Sequence, residues 1–170
     1  MVLIFNLKAL KIILFLIIIT FFLPFFVISC GEAGDDFYRS MPFSGFEAAF
    51  GKNVEGITHQ EGSLFALALI IPSVIMFVLT FFKQTFLLKN IFIIAPIFNI
   101  IAGITFIIAA RIIFGRRIAD YLGEFNVGAL DGLLNFSVGY GFILYLLLNI
   151  ALLVFASVNY FKNNTGGVDL

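Results

Sequence analysis

Residues 91–114 read IFIIAPIFNIIAGITFIIAARIIF, and this stretch decides the predicted fold class. It holds a single charged residue, Arg111, and is longer than the roughly 20 helical residues that cross a hydrocarbon core of about 30 Å. Three further stretches are comparably apolar: 12–29, 63–82 and 140–161. Lipid offers no partner to unpaired backbone groups, and the chain lacks the period-two alternation of a membrane barrel. We therefore predict an all-α integral membrane protein, a four-helix bundle.

The composition of the whole chain favours a membrane environment. Its 170 residues are 62% hydrophobic and 12% charged, with a mean hydropathy of +1.13, whereas soluble domains are about half apolar and about one-quarter charged. The formal net charge is zero and no basic block is present, so a nucleic-acid partner is not expected. The single cysteine, Cys30, excludes an intrachain disulfide and a cysteine-based metal cluster.

The four spans predict one membrane domain over residues 1–170, with outer segments at 30–62 and 115–139. Positive charges in short flanking segments favour the cytoplasmic side of a membrane. If the spans alternate, five lysines share one side: Lys8, Lys11, Lys83, Lys89 and Lys162. Four basic residues on the other side make this bias shallow: Arg39, Lys52, Arg116 and Arg117. We expect a multi-pass protein with both termini in the cytoplasm.

The first outer segment, 30–62, is acidic and carries a helix signal. Ser44 followed three residues later by Glu47 has the form of a capping box and predicts a short helix over residues 45–50. Three phenylalanines then fall on one side: Phe43, Phe46 and Phe50. We expect this stripe to pack on the bundle in preference to lying in the headgroup region.

The second outer segment, 115–139, predicts an interfacial helix that begins near Arg116. One face of this helix is apolar, with Ile118, Leu122 and Phe125. The opposite face carries Arg117, Asp120 and Glu124. Such a helix between spans three and four would lie along the membrane surface.

Small and weakly polar residues mark where helices pack in lipid, because lipid supplies no hydrophobic drive between helices. Those that recur on one face of spans two to four are Ala66, Ser73, Thr80, Asn99, Gly103, Asn149 and Ala156, with Ala95 and Ala110 beside them. Asn99 and Asn149 lie near the centres of their spans, where hydrogen bonding between helices explains them better than substrate contact. The first span carries only Thr20 and Pro24 as such marks and is expected to be peripheral or separable from the bundle.

The sequence offers no catalytic constellation, so neither an enzyme nor a cofactor nor a metal is expected. Asp35 and Asp36 lie near Glu32, but the spaced ligands and turn glycine of a calcium loop are missing, which indicates a solvated acidic loop. His59 has no second histidine at metal-ligand spacing. No charged residue falls at mid-depth of a span, where an ion pathway would need one.

Residues 27–30, Val-Ile-Ser-Cys, follow a basic start and an apolar run and resemble the lipobox of bacterial lipoprotein signal peptides. The resemblance implies cleavage before Cys30 and a lipid on its sulfur. The apolar run is longer than the roughly seven to fifteen residues of a signal core, which favours a retained span. Lipidation at Cys30 is therefore kept as an alternative.

A second resemblance draws on motifs spread along the chain. Residues 23–26 precede Ser29, Cys30 and Gly31, Ser44 and Gly45 follow, and Tyr140 and Gly141 open the last span. In these motifs the chain resembles a group of small uncharacterised bacterial four-transmembrane proteins whose first span ends in a proline and a Ser-Cys-Gly. The resemblance implies a four-span fold in a bacterial cytoplasmic (inner) membrane and no assigned activity.

The leading functional hypothesis is a non-enzymatic accessory or assembly subunit that acts by protein contact. Its expected partners are membrane lipids and either another membrane protein or further copies of the chain. The main alternative is a small oligomeric transporter or channel, with the small-residue faces lining a path between protomers. A lipoprotein lipidated at Cys30 is the third hypothesis.

Overall fold

A computed structural model describes residues 7–30, 39–54, 57–60, 66–82, 86–121 and 134–165. The helices in these ranges are α1 (Leu7–Thr20), α2 (Gly45–Phe50), α3 (Leu67–Leu79), α4 (Phe86–Tyr121) and α5 (Tyr140–Thr165). The strands are β1 (Pro24–Cys30), β2 (Arg39–Ser44), β3 (Lys52–Val54), β4 (Ile57–Gln60) and β5 (Leu134–Val138). The described part of the chain therefore combines long helices with short strands.

A three-stranded antiparallel sheet lies where α1 ends and α5 begins. Its strand order is β2-β1-β5, so β1 is the central strand, and β3 and β4 form a separate antiparallel pair. Side chains alternate across a sheet, and one face of this sheet packs into the core with Phe26, Ile28, Met41, Phe43 and Phe136. The ring of Phe26 stacks on Phe43 at 5.1 Å and on Phe136 at 5.3 Å between centroids. Aromatic stacking thus joins all three strands.

The prediction of a helical first span over residues 12–29 is wrong. Helix α1 ends at Thr20, and after three residues Pro24 begins strand β1. Proline lacks a backbone N–H and disfavours helical backbone at the residue before it, so the helix does not continue through Pro24. The aromatic and β-branched residues at 25–28 suit a strand. They find hydrogen-bonding partners in β2 and β5.

Four helices pack side by side as a closed ring. Helix α1 contacts α3 and α5, and α4 contacts the same two helices from the other side. The buried side of α1 consists of Leu10, Leu14, Ile17 and Thr20, none more than 1% exposed. The expectation of a peripheral first span is therefore wrong as well, because α1 supplies a full face of the core.

The predicted fold class, an all-α membrane bundle of four spanning helices, is also wrong. The chain contains the sheet, and two of the described helices hold a segment long and apolar enough to cross a membrane, Asn90–Ile112 and Tyr140–Val158. Helix α3 is apolar, but its 13 residues extend only about 20 Å. Helix α1 has 14 residues and a similar length. Neither matches a hydrocarbon core of about 30 Å.

Helix α4 does not stop at residue 114 as predicted. It runs unbroken from Phe86 to Tyr121 through Gly115, Arg116 and Arg117. A single glycine is tolerated inside a helix, and arginine is a good helix former. A separate interfacial helix starting near Arg116 is therefore wrong for residues up to Tyr121, and the rest of that prediction lies outside the described residues.

Candidate functional site

Four polar side chains meet in the core and form the polar cluster: Ser73 of α3, Asn99 of α4, and Tyr145 and Asn149 of α5. None is more than 1% exposed. Asn99 Nδ2 donates hydrogen bonds to Ser73 Oγ at 2.8 Å and to Asn149 Oδ1 at 3.0 Å. Asn149 Nδ2 donates to the Tyr145 carbonyl oxygen at 2.8 Å. Three helices are thus joined through one set of side chains.

The polar cluster lies at mid-length of the two long apolar segments. Asn149 is nine residues from each end of Tyr140–Val158, or about 14 Å at the rise of an α-helix. Asn99 is nine residues from the start of Asn90–Ile112. In a membrane of ordinary thickness the cluster would therefore lie near the midplane, far from water.

The orientation of both amides follows from the hydrogen bonds they make. The Tyr145 carbonyl oxygen can only accept, so Asn149 must point its NH₂ group toward it. Asn149 Oδ1 is then turned toward Asn99, which must offer its own NH₂ group. Both hydrogens of Asn99 Nδ2 are used in this way, one toward Asn149 and one toward Ser73.

One acceptor of the polar cluster has no partner. Among the described residues, no donor lies within hydrogen-bonding distance of Asn99 Oδ1, although the side chain is 0% exposed. Leaving a buried polar atom unpaired costs about 1–3 kcal/mol. The cluster is therefore not a fully satisfied network, because Asn99 Oδ1 is a buried acceptor without a donor among these residues.

The Tyr145 hydroxyl ties the cluster to the helix backbones. It donates to the Leu69 carbonyl oxygen at 3.0 Å, with a longer contact of 3.3 Å to the Asn99 carbonyl oxygen. Pro72 lies inside α3 one residue before Ser73. A proline lacks the helical N–H that would bond the carbonyl four residues before it, here that of Ala68, and its ring displaces the preceding turn. Leu69 belongs to that turn.

The chemistry open to the polar cluster is hydrogen bonding. None of its four side chains carries a charge at neutral pH, and none provides a general base beside a nucleophile. Among the side chains that the structure describes, no group of three or more His, Cys, Asp or Glu could hold a metal ion. The cluster is suited to fixing helices against each other and to receiving one further donor at Asn99.

The seven residues predicted to mark helix packing all lie inside the protein: Ala66, Ser73, Thr80, Asn99, Gly103, Asn149 and Ala156. The structure brings Ser73, Asn99 and Asn149 together. Gly103 lies one turn after Asn99, where an added Cβ would meet the rings of Phe142 and Tyr145 at 3.2 Å. Ala66, Thr80 and Ala156 make no part of the polar cluster, and the Thr80 hydroxyl donates within its own helix, to the Phe77 carbonyl oxygen.

Sequence reasoning missed Tyr145, although a signal was present. Tyr145 precedes Asn149 by four residues, so the two share a helix face. In an otherwise Leu- and Ile-rich span, a tyrosine on the asparagine face indicates that a polar partner is available in the core. Tyr145 was not predicted because small and weakly polar residues were taken as the marks of helix packing.

Cys30, the residue with the lipobox resemblance, is the last residue of the central strand. It pairs with Arg39 of β2 and with Leu134 of β5. Cleavage before Cys30 would remove α1 and six of the seven residues of β1, residues 24–29. The lipidated form would therefore lose both the buried face of α1 and the strand that joins β2 to β5.

The sheet is held close to the helices by glycines. The Gly139 amide donates to the Phe25 carbonyl oxygen at 2.8 Å. A Cβ added to Gly139 would collide with the Pro24 carbonyl oxygen, and one added to Gly141 would meet the same atom. The start of α5 and the start of β1 therefore touch backbone to backbone, which fixes the sheet against the helix ends.

No family model matches this chain, and no curated protein and no solved structure is significantly similar to it. The class of protein is defined by the structure alone. It is a largely helical protein with two helices long and apolar enough to cross a membrane, a buried polar cluster at their mid-length and a sheet fixed to one end.

Proposed function

We propose that this chain is a membrane-embedded, non-enzymatic accessory or assembly subunit that acts by contact with another protein. In this proposal the helices hold the protein in lipid, and the outer face of the sheet meets the partner. The observation that carries the proposal is the division of the exposed surface. Exposed side chains on the helices are mostly large and apolar, whereas those on the outer face of the sheet are small and mostly polar.

The exposed helix surfaces support a lipid environment. On α4, Ile94, Ile101 and Ile108 are 63%, 60% and 56% exposed, and on α5, Leu147 is 58% exposed. Only 33% of each long apolar segment is buried in the protein, unlike the core helix of a soluble domain, and neither segment lies near the N-terminus as a signal sequence does. Soluble monomers rarely expose continuous apolar surfaces of this kind.

The outer face of the sheet exposes mainly polar side chains. Its exposed positions are Ser40, Pro42, Asn135 and Ser137. In register they flank Val27 and Ser29 of the central strand, so they form two short rows across all three strands. Because glycine contacts fix this sheet to the helix ends, the face is presented in one orientation. A rigid surface loses little conformational entropy on binding, which favours contact with a partner.

The proposed location is a bacterial cytoplasmic membrane, with both termini on the cytoplasmic side and the sheet at the opposite end of the helix ring. Helix α1 ends at the sheet and α5 begins there, so Leu7 and Thr165 lie at the end of the ring away from the sheet. Lys8 and Lys11 belong to that end, as the preference of basic residues for the cytoplasm favours. The bacterial source rests on the motif resemblance.

The contact surface can be tested with two matched asparagines. Asn135 on the outer face and Asn90 near the start of α4 are both exposed and lie at opposite ends of the protein. A photo-crosslinking residue is placed at position 137, and the protein that it crosslinks in native membranes is first identified by mass spectrometry. Asn135→Arg should then abolish the adduct with the partner protein, and Asn90→Arg should preserve it. Equal adducts in both variants would contradict the proposed surface.

A small transporter is the second candidate, and one observation favours it. The unpaired Asn99 Oδ1 lies near mid-length of the apolar segment of α4, where a solute with a hydrogen-bond donor would pass. Asn99 and Asn149 are buried within a single chain, so such a path would run inside one protomer. Asn99→Leu should then reduce solute flux in liposomes by about tenfold or more without changing the oligomeric state, since the donor would lose its acceptor. Unchanged flux would count against transport.

A further inference from the structure

Helix α2 begins directly against the end of α1. The Phe46 amide donates to the Phe21 carbonyl oxygen at 3.0 Å. A Cβ added to Gly45 would lie 2.5 Å from the ring of Phe21, so helix and ring are in close contact. The capping box of Ser44 and Glu47 fixes the first turn of α2. This short helix therefore belongs to the end of the helix ring, and it does not project away as a loop.

Helix α2 has one buried and one exposed face. Gly45 and Ala49 are buried against the protein. Phe46 and Phe50 are 44% and 54% exposed, and their ring centroids are 4.7 Å apart. Phe46 also stacks on Phe22, which is 60% exposed, at 5.7 Å between centroids. These three rings, Phe22, Phe46 and Phe50, form one continuous surface, the aromatic patch.

The aromatic patch lies at the level where the apolar segment of α5 begins. Phe22 is two residues before Pro24, whose carbonyl oxygen lies against Gly139 and Gly141. The apolar segment of α5 starts between those two glycines, at Tyr140, which is 63% exposed. The patch and Tyr140 therefore mark the same end of the helices. Tyrosine is enriched at this depth in membrane proteins, and phenylalanine is among the residues that interfacial helices bury at the boundary between headgroups and acyl chains.

The patch is continuous with the outer surface of α1. Exposed apolar side chains of α1 lead up to Phe22: Ile12, Phe15, Leu16 and Ile19. The outer surface of α1 is proposed to face lipid. The aromatic patch continues that surface without a break, so it should face lipid too. At the end of the helices, the lipid that surrounds the patch is the boundary region between acyl chains and headgroups.

We propose that the aromatic patch is an interfacial lipid anchor, whose rings insert into the boundary between acyl chains and headgroups of the leaflet on the sheet side. The ligand class is a phospholipid surface. This inference rests on the proposed membrane embedding and adds to it, because the patch sets how far the sheet stands above the membrane. Helix α2 then lies along the membrane surface, and the outer face of the sheet is held above it.

Fluorescence depth measurements can test the anchor, since the chain contains no tryptophan. Phe46→Trp and Phe50→Trp each introduce a sole tryptophan, which is excited beyond the absorption band of the tyrosines, and Phe22→Trp serves if one of them fails to fold. The variants are reconstituted in phosphatidylcholine vesicles with bromine placed on the acyl chains either near the headgroup or near the tail end. Bromine near the headgroup should quench these variants about twofold more strongly than bromine near the tail end.

The matched control is Phe98→Trp, at a position that is 51% exposed and adjacent to Asn99, near mid-length of the apolar segment of α4. Its fluorescence should be quenched more strongly by bromine near the tail end. If Phe98→Trp behaves in this way but Phe46→Trp and Phe50→Trp are quenched only by aqueous iodide, or by neither quencher, the anchor is overturned and the membrane embedding stands. If iodide alone quenches Phe98→Trp as well, the membrane embedding itself is overturned.

Discussion

Asn99 of α4 and Asn149 of α5 are 50 positions apart in the sequence and share a hydrogen bond of 3.0 Å in the fully buried core. Each lies nine residues from an end of its long apolar segment. The pair thus couples the two helices at their mid-length. In an apolar surrounding, separating these helices would expose two amides without partners, which disfavours separation.

The first prediction concerns this pair. Asn149→Leu should lower the free energy of unfolding by about 0.5–2 kcal/mol, because Asn99 Nδ2 loses one of its two acceptors and the Tyr145 carbonyl oxygen loses its side-chain donor. The free energy is measured by reversible unfolding in mixed micelles, as the fraction of a denaturing detergent is increased. Thr105→Val is the matched control, since Thr105 is exposed and its hydroxyl donates only within α4, to the Ile101 carbonyl oxygen. Equal effects of both substitutions would contradict the coupling role.

The second prediction compares two glycines. Gly139→Ala should destabilise the protein by about 3 kcal/mol or more, because the new Cβ meets the backbone oxygen of Pro24, which cannot rotate away. Gly103→Ala should cost about 1 kcal/mol or less, since its Cβ would meet only the rings of Phe142 and Tyr145 at 3.2 Å. Thermal unfolding followed by circular dichroism in detergent measures both. A Gly103→Ala variant as unstable as Gly139→Ala would contradict this account of the junction.

The third prediction tests the capping box. Ser44→Ala should cost about 1 kcal/mol, because the Glu47 amide loses its acceptor and the Glu47 carboxylate loses one of its two donors on Ser44. Amide hydrogen exchange should accelerate across residues 45–50. Ser40→Ala is the control, since Ser40 is exposed on the same strand and has no capping role. Protection of residues 45–50 that is unchanged in Ser44→Ala would contradict the prediction.

Local signals in the sequence predicted local structure well. The spacing of Ser44 and Glu47 predicted α2 at residues 45–50, and the structure confirms both the helix and the reciprocal capping bonds. The last helix begins at Tyr140, as its sequence predicts. The signal was Gly139, directly before it, since glycine disfavours helix. Of the phenylalanine stripe, Phe43 packs in the core as expected, whereas Phe46 and Phe50 are exposed. A capping box involves residues only three positions apart, so it can be recognised directly in the sequence.

The sheet was not predictable in the same way. Residues 25–28 continue the apolar run of α1 without a change in hydropathy, so a buried strand there reads like the end of a spanning helix. What separates the two is the pairing of β1 with β5, where Phe26 faces Val138 across more than a hundred residues of chain. Such a contact depends on tertiary structure. Pro24 was the local clue, and prolines are tolerated often enough in membrane helices to be discounted.

The most direct test of the account is cysteine labelling in membranes. Two cysteines are introduced separately in a Cys30→Ser background: Ser137→Cys on the outer face of the sheet and Leu147→Cys on the exposed side of α5. Each variant is treated with a water-soluble maleimide in permeabilised vesicles, so that the reagent reaches both sides of the membrane. We predict rapid labelling of Ser137→Cys and none of Leu147→Cys until the protein is denatured, because a thiol in hydrocarbon does not ionise. Labelling of Leu147→Cys at a rate close to that of Ser137→Cys would show that α5 faces water and would contradict the membrane-embedded account.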